Sequence, residues 1–159
     1  MRRMTTEISI AIVFALTFVF SAHAQTARTK AAFTRKEATE QPLYSEYKGV
    51  RLGMSASDVR AKLGTPALKG ADQDYYVFSD NETAQIVYDA AQKAVTISVD
   101  YVNGIGAPDY KAVVGAGELE RTANGSMYKV VRYERLGFWV SYNRTTGALP
   151  IVTITIQKL

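Results

Sequence analysis

Carboxylates are the side chains of this sequence best suited to acid–base or metal chemistry, and five of them fall between residues 74 and 100. They are Asp74, Asp80, Glu82, Asp89 and Asp100. Carboxylates held close together can share a proton in catalysis or bind Ca²⁺, but the spacing of these five matches no calcium-binding loop. A solvated turn or a strand edge explains each one. We therefore predict no catalytic residue, no metal site and no cofactor.

Histidine and cysteine are nearly missing from the chain. It contains one histidine, His23, and no cysteine. His23 lies in a segment that we expect to be removed. Without either residue a protein cannot build a His/Cys zinc site, a Ser-His-Asp or Cys-His nucleophile pair, a disulfide or a thiol redox centre. We therefore expect that the protein is not an enzyme.

Residues 1–24 contain the three parts of a secretory signal peptide in the correct order. Met1-Arg2-Arg3 is positively charged, residues 8–20 are an apolar run, and Ala22-His23-Ala24 is a small-x-small cleavage pattern. The run is shorter than the roughly 20 residues that span a bilayer, so we expect cleavage after Ala24. The mature protein is then periplasmic or secreted. Because no cysteine follows the run, we expect no lipid anchor.

Residues 25–43 form a predicted flexible leader, because they combine Thr, Ala and charge without an apolar period. The most basic stretch of the chain, residues 28–36, lies in this leader. Net charge of the whole chain is only +4. This basic stretch allows weak contact with an anionic membrane surface, but the small excess predicts no nucleic-acid binding.

The organised part of the chain begins near Tyr44 with a short helix. Ser55 or Ser57 can cap its first turn, Val59 and Leu63 share one face, and Gly64 can close it. Alternating runs then predict strands at residues 74–79, 83–89 and 94–102. In the third run, Val95, Ile97, Val99 and Tyr101 are expected to face a core and the residues between them to face solvent.

The same order of elements recurs in the second half. The helix positions Gly53, Asp58 and Leu63 correspond to Gly104, Asp109 and Val114. Further strands are predicted at residues 128–133, 138–142 and 151–157. The predicted fold class is therefore α+β, with two tandem units at residues 44–103 and 104–159. Each unit is a short helix, or helix-loop-helix, packed on a three- to four-stranded antiparallel sheet.

Residues 49–66 carry a motif that resembles a known family. The pattern Gly-x-x-x-Gly-Met-Ser-x-x-Asp-Val-x-x-x-Leu-Gly-x-Pro, followed by an aromatic strand and a valine-rich strand, looks like the SmpA/OmlA or BamE-like domain. In that family a helical start precedes a three-stranded antiparallel sheet. The likeness covers residues 44–102, and it extends to residues 104–157 only through the repeat. Two such units in tandem resemble the beta-lactamase inhibitory protein-like fold.

This resemblance implies a function in binding other proteins through the open face of a sheet or its loops. If Phe138, Val140 and Tyr142 face the core, Trp139 points outward. The predicted protein-binding residues are Trp139, Tyr133, Tyr75, Thr96 and Thr153. The alternative is that these aromatic residues are buried where the two units meet.

Two functions follow from the resemblance. The first is an exported soluble module of the cell envelope that binds an envelope or secreted protein partner. The alternative is a secreted or periplasmic inhibitor of a hydrolase, as in beta-lactamase inhibitory proteins.

Overall fold

The computed structural model describes residues 41–159. The predicted signal peptide and the predicted leader as far as residue 40 lie outside the described residues. In chain order, the elements are α1 (Ala56–Leu63), β1 (Leu68–Lys69), β2 (Gln73–Ser79), β3 (Glu82–Tyr88), β4 (Ala94–Val102), α2 (Tyr110–Val114), β5 (Glu120–Arg121), β6 (Met127–Tyr133), a 3₁₀ turn (Glu134–Leu136), β7 (Phe138–Arg144) and β8 (Ile151–Lys158).

Helix α1 has the ends that the sequence predicts. The Ser55 hydroxyl accepts a hydrogen bond from the Asp58 N–H at 3.2 Å and so satisfies an amide of the first turn. Gly64 ends the helix at φ +86°, where a side chain would be strained. Val59 is fully buried, so this face holds the helix on the sheet. The predicted two-turn helix is confirmed.

Helix α2 is shorter and is held in the same way. The Asp109 carboxylate accepts from the Lys111 N–H at 2.8 Å, and Gly115 ends the helix at φ +76°. Val113 and Val114 are buried. A helix of five residues has little stability of its own, so contact with β6 and β7 must stabilise it.

All six predicted strands are present within two residues of their expected ends. Strands β1 and β5 were not expected from the sequence, because two residues each are too few to show an alternating pattern. These short strands lie at the two edges of the sheet. Short edge strands leave few unpaired backbone groups for pairing with another chain.

The predicted fold class of two tandem helix-on-sheet units is wrong. All eight strands belong to one antiparallel sheet in the order β1-β2-β3-β4-β8-β7-β6-β5. The fold is dominated by this sheet, with two short helices among the described residues. The physical reason is that in two separate sheets β4 and β8 would each be an edge strand with unpaired backbone N–H and C=O groups. Pairing the two strands satisfies these groups.

The β4–β8 pair is a continuous seam between the two halves of the chain. Seven residue pairs join the strands, from Thr96 opposite Gln157 to Val102 opposite Ile151. On the helix side of this seam, Ile97, Val99, Ile154 and Ile156 are at most 1% exposed. One buried cluster therefore runs across the seam, and side chains from both helices and from strands of both halves belong to it.

Alternation along the strands gives the sheet two different faces. Ile97, Val99 and Tyr101 are buried as predicted, while Thr96 and Ser98 lie on the opposite face. Val95 departs from the predicted pattern. A register irregularity between β3 and β4 places Ala94 in the core instead, and Val95 is half-buried at the end of the sheet.

We expect Ile154→Ala to lower the free energy of unfolding by about 3 kcal/mol, because it leaves a cavity at the centre of the seam. The loss should appear in one cooperative urea transition. Trp139 fluorescence, which reports on the second half, and far-ultraviolet circular dichroism should give the same midpoint. Ile151→Ala, at a residue of β8 that is 38% exposed, is the matched control and should cost less than about 1 kcal/mol. Two separate transitions would contradict a shared core.

Candidate functional site

The sheet face opposite the helices is the strongest candidate for a functional surface, and we call it the open face. Neither described helix packs against it, since the buried cluster lies on the other side of the sheet. The strand register places mainly uncharged polar residues across its centre. They are Thr83, Gln85, Thr96, Ser98, Thr153, Thr155, Gln157, Ser141 and Asn143.

Charge is sparse on the open face. By the strand register, the charged side chains that the described strands place there are Asp100 near the centre, and Glu120 and Arg132 toward one edge. Thr153 Oγ1 donates to Asp100 Oδ1 at 2.6 Å across the seam, so this carboxylate is already partnered. A surface of this kind favours a partner that brings hydroxyl, amide and apolar groups rather than a strongly charged one.

Hydroxyl groups on the open face also bond to one another. The side-chain oxygens of Ser98 and Thr155 lie 3.2 Å apart across the same seam. Gln85 Nε2 donates to Gln73 Oε1 at 2.7 Å near the β2 edge. These bonds fix the rotamers of the face before any partner arrives, which lowers the entropy lost on binding.

Trp139 is the exception to the polar character of the centre of this face. It lies on β7 between Phe138 and Val140, both of which face the helix side, so the alternation of the strand turns its indole outward as predicted. Its register partners are Arg132 on β6 and Gln157 on β8. The indole is half-buried among these neighbours rather than enclosed in the core.

A shallow depression of about 750 Å³ lies beside Trp139. Tyr128, Val130, Ser141 and Asn143 line it from β6 and β7, together with residues of the turn that joins β5 to β6. Val130 is 46% exposed there. The depression offers two aromatic rings and several neutral hydrogen-bonding groups to an incoming side chain or loop.

The structure brings some of the predicted binding residues together and separates others. Thr96 and Thr153 lie on the two central strands of the open face, and Thr96 shares a row with Gln157 and Trp139. Tyr75 also lies on this face, but on β2, opposite Gln85. Four strand spacings separate β2 from β7, so Tyr75 is roughly 19 Å from Trp139. Tyr75 and Trp139 therefore lie on the same face but are too far apart to contact the same group of a partner.

The predicted outward position of Tyr133 is wrong. Tyr133 is 5% exposed, and its ring centroid lies 5.1 Å from that of Phe138 on the helix side. The physical reason is the register of β6, which pairs Tyr133 with Phe138 and therefore turns both side chains to the same face. Its hydroxyl lies 3.5 Å from the Leu43 N–H, from which it accepts.

Sequence reasoning missed Tyr128 and Val130, which take the place of Tyr133 beside Trp139. The signal was the alternation of β6, where Tyr128, Val130 and Arg132 share one face. The Tyr128 hydroxyl donates to Glu120 Oε2 at 2.7 Å, and this bond is the main cause of the raised pKa of Tyr128. The bond holds the ring at the edge of the depression.

Asp74 is the one carboxylate that the sequence analysis misplaced completely, because it is fully buried on the helix side. It accepts from Arg60 Nε at 2.8 Å, Arg60 Nη2 at 3.1 Å and the Tyr88 hydroxyl at 2.8 Å. Burial and then the bond to Asp74 raise the pKa of Tyr88, and the same carboxylate raises the pKa of Arg60. Arg60 lies on α1, Asp74 on β2 and Tyr88 on β3, so the hydrogen bonds of this buried carboxylate join the helix to the two strands.

A second polar cluster joins the first loop to the sheet. The Tyr47 hydroxyl donates to Glu82 Oε1 at 2.9 Å, and Lys48 Nζ lies 3.4 Å from the same oxygen. Burial raises the pKa of Tyr44 to about 12, with smaller contributions from the charges of Glu82 and Glu46. Burial also raises the pKa values of Tyr47 and Tyr101, which lie next to this cluster.

Two Ser-x-x-Lys spacings, a hydrolase signal that the sequence analysis missed, occur at Ser45–Lys48 and Ser126–Lys129. Neither pair lies on a helix. Lys48 pairs with Glu82, and Lys129 Nζ donates to the Ala116 carbonyl at 2.6 Å. Both lysines therefore have structural partners.

Within residues 41–159, no group of three or more His, Cys, Asp or Glu side chains is placed to hold a metal ion. None of the helices in that range is long and apolar enough to cross a membrane.

The chain matches no protein-family model, no curated protein and no solved structure at a significant level.

Asp74→Asn should lower the free energy of unfolding by about 3 kcal/mol, because it leaves the Arg60 guanidinium without its anion. The Arg60 side chain is 26% exposed, and its access to water limits the loss. Urea titration measures the change. Asp72→Asn, at an exposed position two residues away, is the matched control and should have almost no effect. Equal stability of the two variants would contradict a structural role for Asp74.

Stability should fall steeply above pH 10. The pKa of Tyr44 rises from 10 in the unfolded chain to about 12 in the folded protein, so the folded state holds this proton more tightly. The contribution of Tyr44 to the free energy of unfolding is fully present below pH 10 and is lost as the pH rises through 12. Tyr47 and Tyr101 shift in the same direction. Urea midpoints measured against pH test this, and Tyr44→Phe should make the decline shallower. A midpoint that stays constant up to pH 12 would contradict it.

Proposed function

We propose that this protein is an exported, soluble protein-binding module of the cell envelope, and that it binds an envelope or secreted protein through its open face. The observation that carries the proposal is an outward tryptophan beside a shallow depression, on a sheet face that neither described helix covers. Large aromatic side chains at the centre of an interface supply much of its binding energy. The signal peptide expected at residues 1–24 supports the proposed location.

The geometry of the open face fits a protein partner in three ways. Its strands form a wide and continuous surface, as protein interfaces require. Hydroxyl and amide groups surround the indole and can form a hydrogen-bonding rim. The depression beside Trp139 is shallow and can receive a protruding side chain of a partner. Trp139, Tyr128 and Val130 are the proposed centre, while Thr96, Thr153 and Tyr75 lie around it.

Trp139→Ala should weaken partner binding by about tenfold or more, because it removes the largest contact surface of the face. We would capture partners from an envelope extract on immobilised wild-type protein, identify the retained protein, purify it and measure its dissociation constant. Far-ultraviolet circular dichroism would verify that the variant is folded.

The matched control is Leu149→Ala, which removes an apolar side chain that is 69% exposed in the β7–β8 loop. It should leave affinity unchanged. Tyr75→Ala should have a smaller effect than Trp139→Ala, since Tyr75 lies near the opposite edge of the sheet. A partner that binds the Trp139→Ala variant as tightly as the wild type would refute the proposed centre of the interface.

A further inference from the structure

A cleft of about 470 Å³ lies at the end of the sheet where the two halves meet. One wall is the first loop, near residues 45–53, and the other is the 3₁₀ turn at Glu134–Leu136. Its apolar lining consists of Leu52, Ala94, Val95, Leu136, Phe138 and Ile156. The volume falls within the range that is typical of small-molecule sites.

This cleft lies on the helix side of the sheet and is therefore separate from the open face. Phe138 and Ile156 belong to the same face as the buried cluster, whereas Trp139 points the other way. A ligand in the cleft and a partner on the open face would not compete for the same residues. The two sites can be tested independently.

Positive charge surrounds the apolar interior. Lys93 and Lys158 line the cleft, both are exposed, and neither ammonium has a hydrogen-bond or ion-pair partner among the described residues. Arg51 also lines it and donates from Nε to Glu46 at 2.6 Å. The cleft thus has two unpaired cations above an apolar floor.

Asp89 is the only acidic residue among the described residues that line the cleft, and backbone N–H groups of its own turn bind its carboxylate. Asp89 Oδ1 accepts from the Ala91 N–H at 2.9 Å and from the Lys93 N–H at 2.8 Å. The balance of charge around the cleft therefore remains positive. A cationic ligand would be repelled, and a fully polar anion would leave the apolar walls unused.

We propose that this cleft binds a single-chain anionic amphiphile, such as a medium-chain fatty acid. The carboxylate lies between the ammonium groups of Lys93 and Lys158, and the hydrocarbon chain packs against Leu52, Val95 and Phe138. Removing the chain from water supplies the favourable free energy. The two ammonium groups offset the cost of taking the carboxylate partly out of water.

Calorimetric titration of the purified protein with decanoate, below the concentration at which decanoate forms micelles, tests the proposal. We expect saturable binding of one decanoate per chain. Decyltrimethylammonium has the same chain length and the opposite charge, and it should bind at least about tenfold more weakly. Acetate, which has the head group without the chain, should give no saturable binding.

The double variant Lys93→Gln/Lys158→Gln should bind decanoate about tenfold more weakly than the wild type. Lys62→Gln/Lys69→Gln removes two exposed lysines outside the cleft and is the matched control. It should bind decanoate as the wild type does. Both changes are at the surface, so neither should prevent folding.

Methyl signals in nuclear magnetic resonance spectra give a readout that needs no variant. Decanoate should shift the methyl signals of Val95 and Leu136, which line the cleft, and leave those of Val130 on the open face unchanged. The proposal is overturned if both amphiphiles bind equally, if the Lys93/Lys158 variant binds decanoate normally, or if the shifts appear at Val130. Binding to anionic phospholipid vesicles without binding of monomeric decanoate would also overturn it.

Discussion

The rest of the structure depends on the hydrogen-bonded pairing of β4 with β8. Each half of the chain ends in a strand whose far edge would otherwise be unpaired. Seven residue pairs close both edges at once, and the isoleucine and valine side chains of the two strands become the middle of a single core. The halves therefore share one sheet and one buried cluster, and the stability of each half depends on the other. The cleft at the end of this seam exists because the two halves are held there side by side.

The helices cover only one face of the sheet. Both helices contribute to the buried cluster on one face, and across the central strands β4, β8 and β7 the other face carries mainly threonine, serine, asparagine and glutamine. The hydrogen bonds between these side chains hold that face in one arrangement. Trp139 interrupts it with a large aromatic surface that contributes little to the core. The contrast between the indole and its neighbours is what supports a binding role for this face.

Buried polar groups organise the helix side in a different way. The Asp74 carboxylate has no contact with water and is satisfied by Arg60 and Tyr88. Such a cluster fixes the position of α1 on the sheet through directional bonds, which apolar contacts alone do not provide. The residues that looked most suitable for chemistry in the sequence thus have structural tasks or lie at the surface.

The sequence by itself determined the local elements. Periodicity and capping residues were sufficient for α1, for six strands and for the outward position of Trp139, because these depend on neighbours in the chain. The burial of Asp74, the inward position of Tyr133 and the union of all strands in one sheet were decided by tertiary structure. Each depends on a partner distant in sequence: Arg60 and Tyr88 for Asp74, Phe138 in the register of β6 and β7 for Tyr133, and β8 for β4. The pattern of residues along a strand predicts which side chains share a face. Whether that face is buried in the core or exposed to solvent depends on tertiary packing.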